Sequence, residues 1–266
     1  MTDNAQRQPG PSTEQAQLVE AAARLLLQAH HAVALTGAGL STPSGIPDFR
    51  SPTTGLWAQV DPMEVASIWS FRRRPERFFA WLGPLAQALL HARPNPAHLA
   101  LAQLEASGYL RAVITQNIDS LHQAAGSRRV IELHGHVRTA TCTRCYTIHQ
   151  VDPYLRSCTL EGRVPRCSCG GVLKPDVILM GEDLPHETFQ AALEEVRACD
   201  VLLVAGTSLE VAPAAELPFV AQRRGAVVIV VNREPTPMDG HATVVLRGDV
   251  AWAVPAVVAA MLSPDV

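Results

Sequence analysis

The 266-residue sequence predicts an α/β fold, a parallel sheet with helices on both faces plus a smaller second module. Three observations carry that expectation. Short β-branched runs such as "DVLLVAGTS" and "AVVIVVN" alternate with helical patterns, and they are apolar throughout, as strands buried on both faces are. Several of these runs end in small or polar residues of the kind that meet ligands beyond the carboxyl ends of strands. Two stretches break the rhythm: residues 52–92, rich in Trp and Phe, and residues 137–174, which hold five of the six cysteines.

Taken in order, a first helix is expected from Thr13 to His30. Ser12 or Thr13 caps it, and Leu18, Ala22, Leu25 and Leu26 share one face. "HAVALT" follows as a buried strand. In "NPAHLALAQLEASG", Asn95 caps a helix, Pro96 takes its first turn and Gly108 ends it. "LRAVITQN", "RRVIELHG" and "ATVVLRG" read as further strands. Helical patterns lie around Glu187–Arg197, Ala212–Arg224 and Val250–Leu262. The expected division puts 1–51, 93–136 and 175–266 in one nucleotide-binding domain, with 1–12 a disordered lead-in. Residues 52–92 and 137–174 together make the small module.

Composition narrows the class. Hydrophobic residues at 47% and charged residues at 18% suit a soluble enzyme with a real core. A formal charge of −3 argues against direct nucleic-acid binding by bulk charge. The clusters Arg72–Arg74, Arg128–Arg129 and Arg223–Arg224 read as solvated faces. The polar start "MTDNAQRQPGPSTEQ" is no signal peptide. "VAWAVPAVVAAML" is too short to span a bilayer and carries Pro255, so no membrane association is expected. The expected location is cytoplasmic, where thiols stay reduced. Nothing in the sequence fixes the oligomeric state.

The cysteines then need an explanation other than disulfides. "CTRC" supplies Cys142 and Cys145, and "CSC" supplies Cys167 and Cys169, followed by Gly170 and Gly171. Two thiol pairs on tight turns suit a tetrahedral zinc site, one ion per chain, in a zinc ribbon. The single spacer in the second pair is a departure from the commoner two. Four thiolates leave no open position, so the ion is structural. Cys199 precedes a strand and reads as core; Cys158 is assigned no role.

"TGAGLSTPSGIPDFRS", Thr36 to Ser51, starts like a dinucleotide loop, with Gly37 and Gly39 after a strand. The third glycine of a dehydrogenase fingerprint is missing, and so is the acidic residue about 20 positions on. Pro43 and Pro47 are expected to hold the segment extended and deliver Asp48, Phe49 and Arg50. "GTS" (Gly206–Ser208), "VN" (Val231–Asn232) and "TQNID" (Thr115–Asp119) end other strands, so one extended Rossmann-like nucleotide pocket is expected. His134 in "ELHGH" lies at the same edge, beside Asn117 and Asp119, where an imidazole of ordinary pKa near 6.5 can act as a base. A lone histidine is more often structural.

These motifs, "GAGLSTPSGIPDFRS", "TQNIDSLH", "ELHGH", "CTRC…CSC", "MGEDLP", "GTSLEV" and "VNRE", stand in the order seen in sirtuins, the NAD-dependent protein deacylases, and the chain resembles that family from about residue 14 to 262. The resemblance implies NAD as co-substrate and an acylated protein or peptide as partner. It places Gly37, Ala38, Gly39 and Ser41 at the NAD diphosphate and ribose. Asp48, Phe49 and Arg50 would form a mobile loop closed by Trp57. Gln116, Asn117, Ile118 and Asp119 would surround the nicotinamide ribose, with His134 the base and Asn117 and Asp119 beside it in catalysis. Gly206, Thr207, Ser208, Asn232 and Glu234 would hold the adenosine half, and Gly248, Asp249 and Val250 would meet adenine. The peptide would lie between Met180, Gly181 and Glu182 on one side and Leu209, Glu210 and Val211 on the other. Val177 and Met180 would neighbour the acyl chain.

The implied chemistry is attack of the acyl-lysine oxygen on the nicotinamide ribose, release of nicotinamide, and transfer of the acyl group to give 2′-O-acyl-ADP-ribose. Met180 stands where the family usually has Phe. "PERFFAWLGPL" lacks the Tyr and Arg, three positions apart, of members specialised for acidic acyl groups, so neutral short acyl groups are expected over succinyl. Three other readings compete: protein ADP-ribosyl transfer through the same bond cleavage, a zinc-ribbon module that only binds NAD, and hydride transfer, which the missing glycine disfavours.

Overall fold

A computed structural model describes residues 12–48, 55–56, 60–151 and 153–262. Helix α1 is Thr13–Gln28 and strand β1 Ala32–Thr36. Helices α2 (Pro62–Val65), α3 (Ile68–Arg73) and α4 (Pro75–His91) follow, then α5 (Pro96–Ala106), β2 (Ala112–Thr115), α6 (Leu121–Ala125) and β3 (Val130–Glu132). Next come β4 (Gly135–Cys142), β5 (Ile148–Gln150), α7 (Pro153–Leu160) and β6 (Leu173–Val177). The chain ends with α8 (His186–Ala198), β7 (Val201–Ala205), α9 (Leu217–Arg223), β8 (Val227–Asn232), β9 (Val244–Arg247) and α10 (Val250–Leu262).

Six strands form one parallel sheet in the order β3-β2-β1-β7-β8-β9. From β1 the chain builds outward to β2 and β3, then crosses over to β7 and continues the other way. That reversal between β1 and β7 is where ligands enter sheets of this kind. Register brings the strand ends level: Thr36 stands opposite both Thr115 and Ala205.

The sheet is buried on both faces, as its all-apolar strands require. Ala34, Val113, Leu203 and Ile229 pack against α1, α5 and α10. Val33, Leu35, Ile114, Leu202 and Val228 pack against α8 and α9. Each such Leu or Ile contributes roughly 1.5–3 kcal/mol by leaving water. The remaining strands make a small sheet, β5-β4-β6, antiparallel throughout. Against it lie α3 and α4, whose Phe71, Phe78 and Phe79 interlock, with Phe78 edge-on to both others at 5.2 Å. No helix among the described residues is long and apolar enough to cross a membrane.

Several local expectations shift. Helix α1 takes Ser12 as cap in a full capping box with Gln15, but stops at Gln28. The chain turns there because the amides of His30 and His31 donate to the Asp200 carboxylate at 2.7 and 2.9 Å. Pro43 does not hold an extended segment; it sits in a 3-10 turn, Thr42–Ser44, which suits its fixed φ. Residues 212–224 divide into a 3-10 turn at Ala214–Glu216 and the shorter α9. The "RRVIELHG" strand ends at Glu132, and β4 begins three residues later. Its sequence, "GHVRTATC", places Arg138 and Thr139 side by side, which breaks the alternation, and it lacks the apolar run that marks the main sheet.

Gly135 opens β4 with φ +74°, where a Cβ would overlap the Asp176 carbonyl oxygen of β6. Replacing Gly135 with Ala is expected to cost at least about 2 kcal/mol, from the positive φ and the overlap together. Urea unfolding of the variant checks this, and a loss under about 0.5 kcal/mol would contradict the packing described.

Candidate active site

The loops after β1 and β7 meet glycine on glycine. A Cβ on Gly37 would stand 2.7 Å from the Thr207 Cβ, and one on Gly39 would stand 2.9 Å from the Gly206 carbonyl oxygen. Gly206 has φ +63°, and a Cβ there would overlap the Leu40 amide. Close backbone approach therefore excludes any side chain at these three positions. The loops line a cavity of about 480 Å³ together with Ala38, Asp48, Gln116, Thr207, Ser208, Glu210, Asn232, Glu234, Gly248, Asp249 and Val250. Thr42, Arg233 and Pro235 also line it and were not anticipated. Phe49, Arg50 and Trp57 lie outside the described residues; the Leu56 amide donates to the Asp48 carbonyl at 2.9 Å.

Gln116 ties three loops together. Its amide donates to Thr36 at the end of β1 (3.0 Å), and its side-chain amide donates to the Thr207 hydroxyl (3.0 Å). Its carbonyl faces His134 Nδ1 at 3.0 Å. A carbonyl only accepts, so Nδ1 carries the proton in that bond. The neutral ring then presents an unprotonated Nε2. Burial lowers the His134 pKa, partly opposed by the bond to Gln116. At neutral pH the ring is a base, not a cation.

Below the cavity floor lies a polar lattice. The Asn117 side-chain amide donates to the Gly37 carbonyl and to Ser41 Oγ, each at 3.0 Å. Ser41 donates to Asp119 at 2.6 Å, and the Leu121 amide donates to the other Asp119 oxygen at 2.8 Å. Burial raises the Asp119 pKa, against the pull of the Ser41 bond. Ile118 packs above, in the cluster with Val177 and Leu121.

Behind this lattice are two buried histidines that sequence reasoning left unassigned. His98 Nε2 lies 3.5 Å from Ser41 Oγ, and the rings of His98 and His122 are 5.0 Å apart. Thr36 donates to Thr115, so it accepts from His122 Nε2 at 2.9 Å, which leaves Nδ1 bare and without a partner. Burial pushes His98 down to about 4 and His122 down to about 3, the second helped by the first. The available signal was spacing: His98 follows the Asn95 cap by three residues, and His122 follows Asp119 by three.

The "MGE" segment is clamped between elements. Met180 exchanges backbone bonds with Ala66 and Ile68 at 2.9 and 3.0 Å. Glu182 folds back to accept from the Leu179 amide and pairs with Lys174 at 3.0 Å. The Leu209 side chain is buried in the main core with φ +55°, and the exposed Glu210 and partly buried Val211 follow it.

The four predicted thiols come together. Their sulfurs all lie within 4.8 Å of one another, with Cys142–Cys169 and Cys145–Cys169 at 3.5 Å and Cys145–Cys167 at 3.8 Å. A zinc tetrahedron with bonds of about 2.3 Å has edges of about 3.8 Å. The Arg144 and Cys145 amides point at Cys142 Sγ, and a Cβ on Gly171 would stand 2.8 Å from the Arg144 Cβ. Cys158 is buried on α7, and Cys199 caps the end of α8.

The Sir2 family model matches residues 37–213, from the first loop glycine to beyond the Leu209 turn. The chain belongs to the Sir2 family. It is 46% identical to NAD-dependent protein deacylase 2 of Archaeoglobus fulgidus over 242 residues, 90% of this chain and 94% of that one. It is 47% identical to an NAD-dependent protein deacetylase of Sulfurisphaera tokodaii, over 88% and 92%. The solved structure of Sir2Af2 bound to a myristoylated histone peptide has a TM-score of 0.79 at 40% identity, covering 92% and 96%.

Both groups that the Sir2 family implies fit the residues present. The bare glycine backbone suits a diphosphate, and among the described residues the Ala38 and Gly39 amides have no partner. The cysteine set suits a structural zinc ion.

Two outcomes follow for this Sir2-family chain. Removing one thiol with Cys142→Ala is expected to release zinc and lower the soluble yield, read by metal analysis; full metal content with native stability would refute the site. The histidines make stability fall with acid. Their folded pKa values lie below the unfolded 6.5, so the unfolded chain binds more protons there. Stability is whole above about 6.5 and declines as pH drops toward 4, by about 1.4 kcal/mol per pH unit per histidine. Asp119, shifted up, works in the opposite sense. Denaturant midpoints for the native chain and His122→Gln between pH 7 and 5 separate the two, and equal slopes would contradict a neutral buried His122.

Proposed function

We propose that this chain is an NAD-dependent protein-lysine deacylase, and that the tautomer of His134 carries the reaction. The supporting observation is the Nδ1–Gln116 bond, which leaves Nε2 unprotonated on a ring held by Gln116, itself a lining residue of the cavity suited to NAD. When bound, NAD supplies the anomeric carbon from which nicotinamide departs. The products are then nicotinamide, the free lysine and 2′-O-acyl-ADP-ribose.

His134 Nε2 would accept a proton from the ribose 2′-hydroxyl as that oxygen attacks the acyl carbon, and a water molecule would then add at that carbon as its bond to the lysine nitrogen breaks. Asn117 and Asp119 are positioning residues in this reading. The Asn117 Nδ2 and both Asp119 oxygens bond Gly37, Ser41 and Leu121, so these side chains hold the loop in place. The Ala38 and Gly39 amides would donate to the diphosphate, and Asn232, Glu234 and residues 248–250 would border the adenosine half.

The peptide runs extended between Gly181 and Ser208–Val211. Among the described residues the Gly181 amide and carbonyl have no partner, so a strand can add there through its main chain. The acyl chain then points toward Val177 and Met180. Helix α4 has no charged residue between Arg77 and His91, which favours neutral acyl groups over succinyl.

His134→Ala is expected to lower the steady-state formation of acyl-ADP-ribose from NAD and an acetyl-lysine peptide by at least about 100-fold, with NAD binding retained. Acyl-ADP-ribose formation at the native rate would remove His134 as base. The same assay with succinyl-lysine tests the acyl preference, and faster turnover of succinyl than acetyl would overturn it. Mass spectrometry separates acyl-ADP-ribose from ADP-ribosylated protein.

A further inference from the structure

Trp69 is the one tryptophan whose described side chain is mainly exposed: 52% of it is open to solvent, while Phe71, two residues on, is fully interior. An exposed indole of this size carries a large apolar surface, of the kind that marks recognition sites. Its position is what decides its use. Gly181 has φ +85°, and a Cβ there would overlap the Trp69 ring, so the six-membered ring lies directly on the Gly181 backbone. Ile68, the neighbour of Trp69, donates its amide to the Met180 carbonyl at 3.0 Å, which locks α3 to this segment. The ring is thus a shelf beside the unpartnered main chain of Gly181.

We propose that Trp69 selects the residue flanking the acyl-lysine in the substrate, favouring an aromatic or large aliphatic side chain. The inference rests on the deacylase reading, in which the peptide pairs at Gly181. A strand paired there sets alternate side chains to opposite sides, so one residue adjacent to the acyl-lysine falls toward the ring. An indole face can also hold a cation. Arg72 and Arg73 argue against that here. They stand three and four positions after Trp69, on the same side of α3, exposed and without an anionic partner among the described residues. Their charge repels a lysine or arginine on the ring and favours an acidic residue beyond it. The substrate class is therefore a protein segment with a bulky apolar residue beside the acyl-lysine and Asp or Glu one or two positions farther out.

The test compares kcat/KM for acetyl-lysine peptides bearing Phe or Gly at each adjacent position, with NAD, in the native chain and in Trp69→Ala and Trp69→Phe. The ratio within each protein is the readout, so a general loss of activity does not affect it. The native chain is expected to prefer Phe about tenfold at one of the two positions, the size of discrimination that one apolar contact supplies. Trp69→Phe should keep most of that ratio and Trp69→Ala should bring it near one. An unchanged ratio in Trp69→Ala, or no preference in the native chain, overturns the proposal while leaving the deacylase reading intact. Should Trp69→Ala fail to fold, the paired variant Arg72→Glu, Arg73→Glu decides. A shift from Asp-bearing to Lys-bearing peptides supports the shelf, and an unaltered Asp-to-Lys ratio overturns it. Failure of the native chain to deacylate any peptide would overturn the functional reading and this inference with it.

Discussion

Gln116 is the residue on which the site depends. Its amide, carbonyl and side chain each bond a different loop, so the ends of β1 and β2, the turn after β7 and the His134 segment form one unit. None of those bonds could form unless the strand ends were level, and register sets them level: Thr36 opposite Thr115 and Ala205. The glycine contacts between Gly39 and Gly206 then close the gap that any side chain would hold open. The arrangement fixes a proton as well as a position, because a carbonyl at Nδ1 determines which nitrogen of His134 is free.

Holding that unit rigid comes at a cost in buried polar groups. Ser41, Asn117 and Asp119 satisfy one another and the Gly37 carbonyl, while His98 and His122 lie behind them as neutral rings. Two uncharged histidines fill the space between the lattice and the core without bringing a second charge near Asp119. His122 Nδ1 remains unbonded, a destabilising feature set against the order it gives Thr36 and Thr115. The same physics ties acid sensitivity of the fold to the floor of the site.

The main sheet was legible because its strands are apolar on both faces, and Leu35, Ile114 and Leu202 could belong only to a doubly covered sheet. The thiol cluster was legible from pairing alone, despite the single spacer between Cys167 and Cys169. The glycine loop was legible as a turn of close backbone approach, but Pro43 reads as extended where a 3-10 turn also accepts its φ. Strand β4 was missed because Thr139 and Thr141 use their hydroxyls on Asp176, a contact that no local pattern encodes. His98 and His122 were missed for the same reason: their role depends on tertiary neighbours, and a buried histidine has no periodicity of its own. Trp69 counted only as one of several aromatics, since its shelf exists through Gly181, 112 positions away.

Strand β4 runs directly from Gly135, beside His134, to Cys142 at the thiol cluster, so the ribbon and the His134 segment share one strand. The central claim is that this framework sets the tautomer of His134. Nitrogen-15 NMR of the imidazole in the full-length chain at pH 7 measures it directly. The state expected from the Gln116 bond is a protonated, hydrogen-bonded Nδ1 and an unprotonated Nε2, persisting below pH 6.5. A proton on Nε2, or an imidazolium at pH 7, would contradict it.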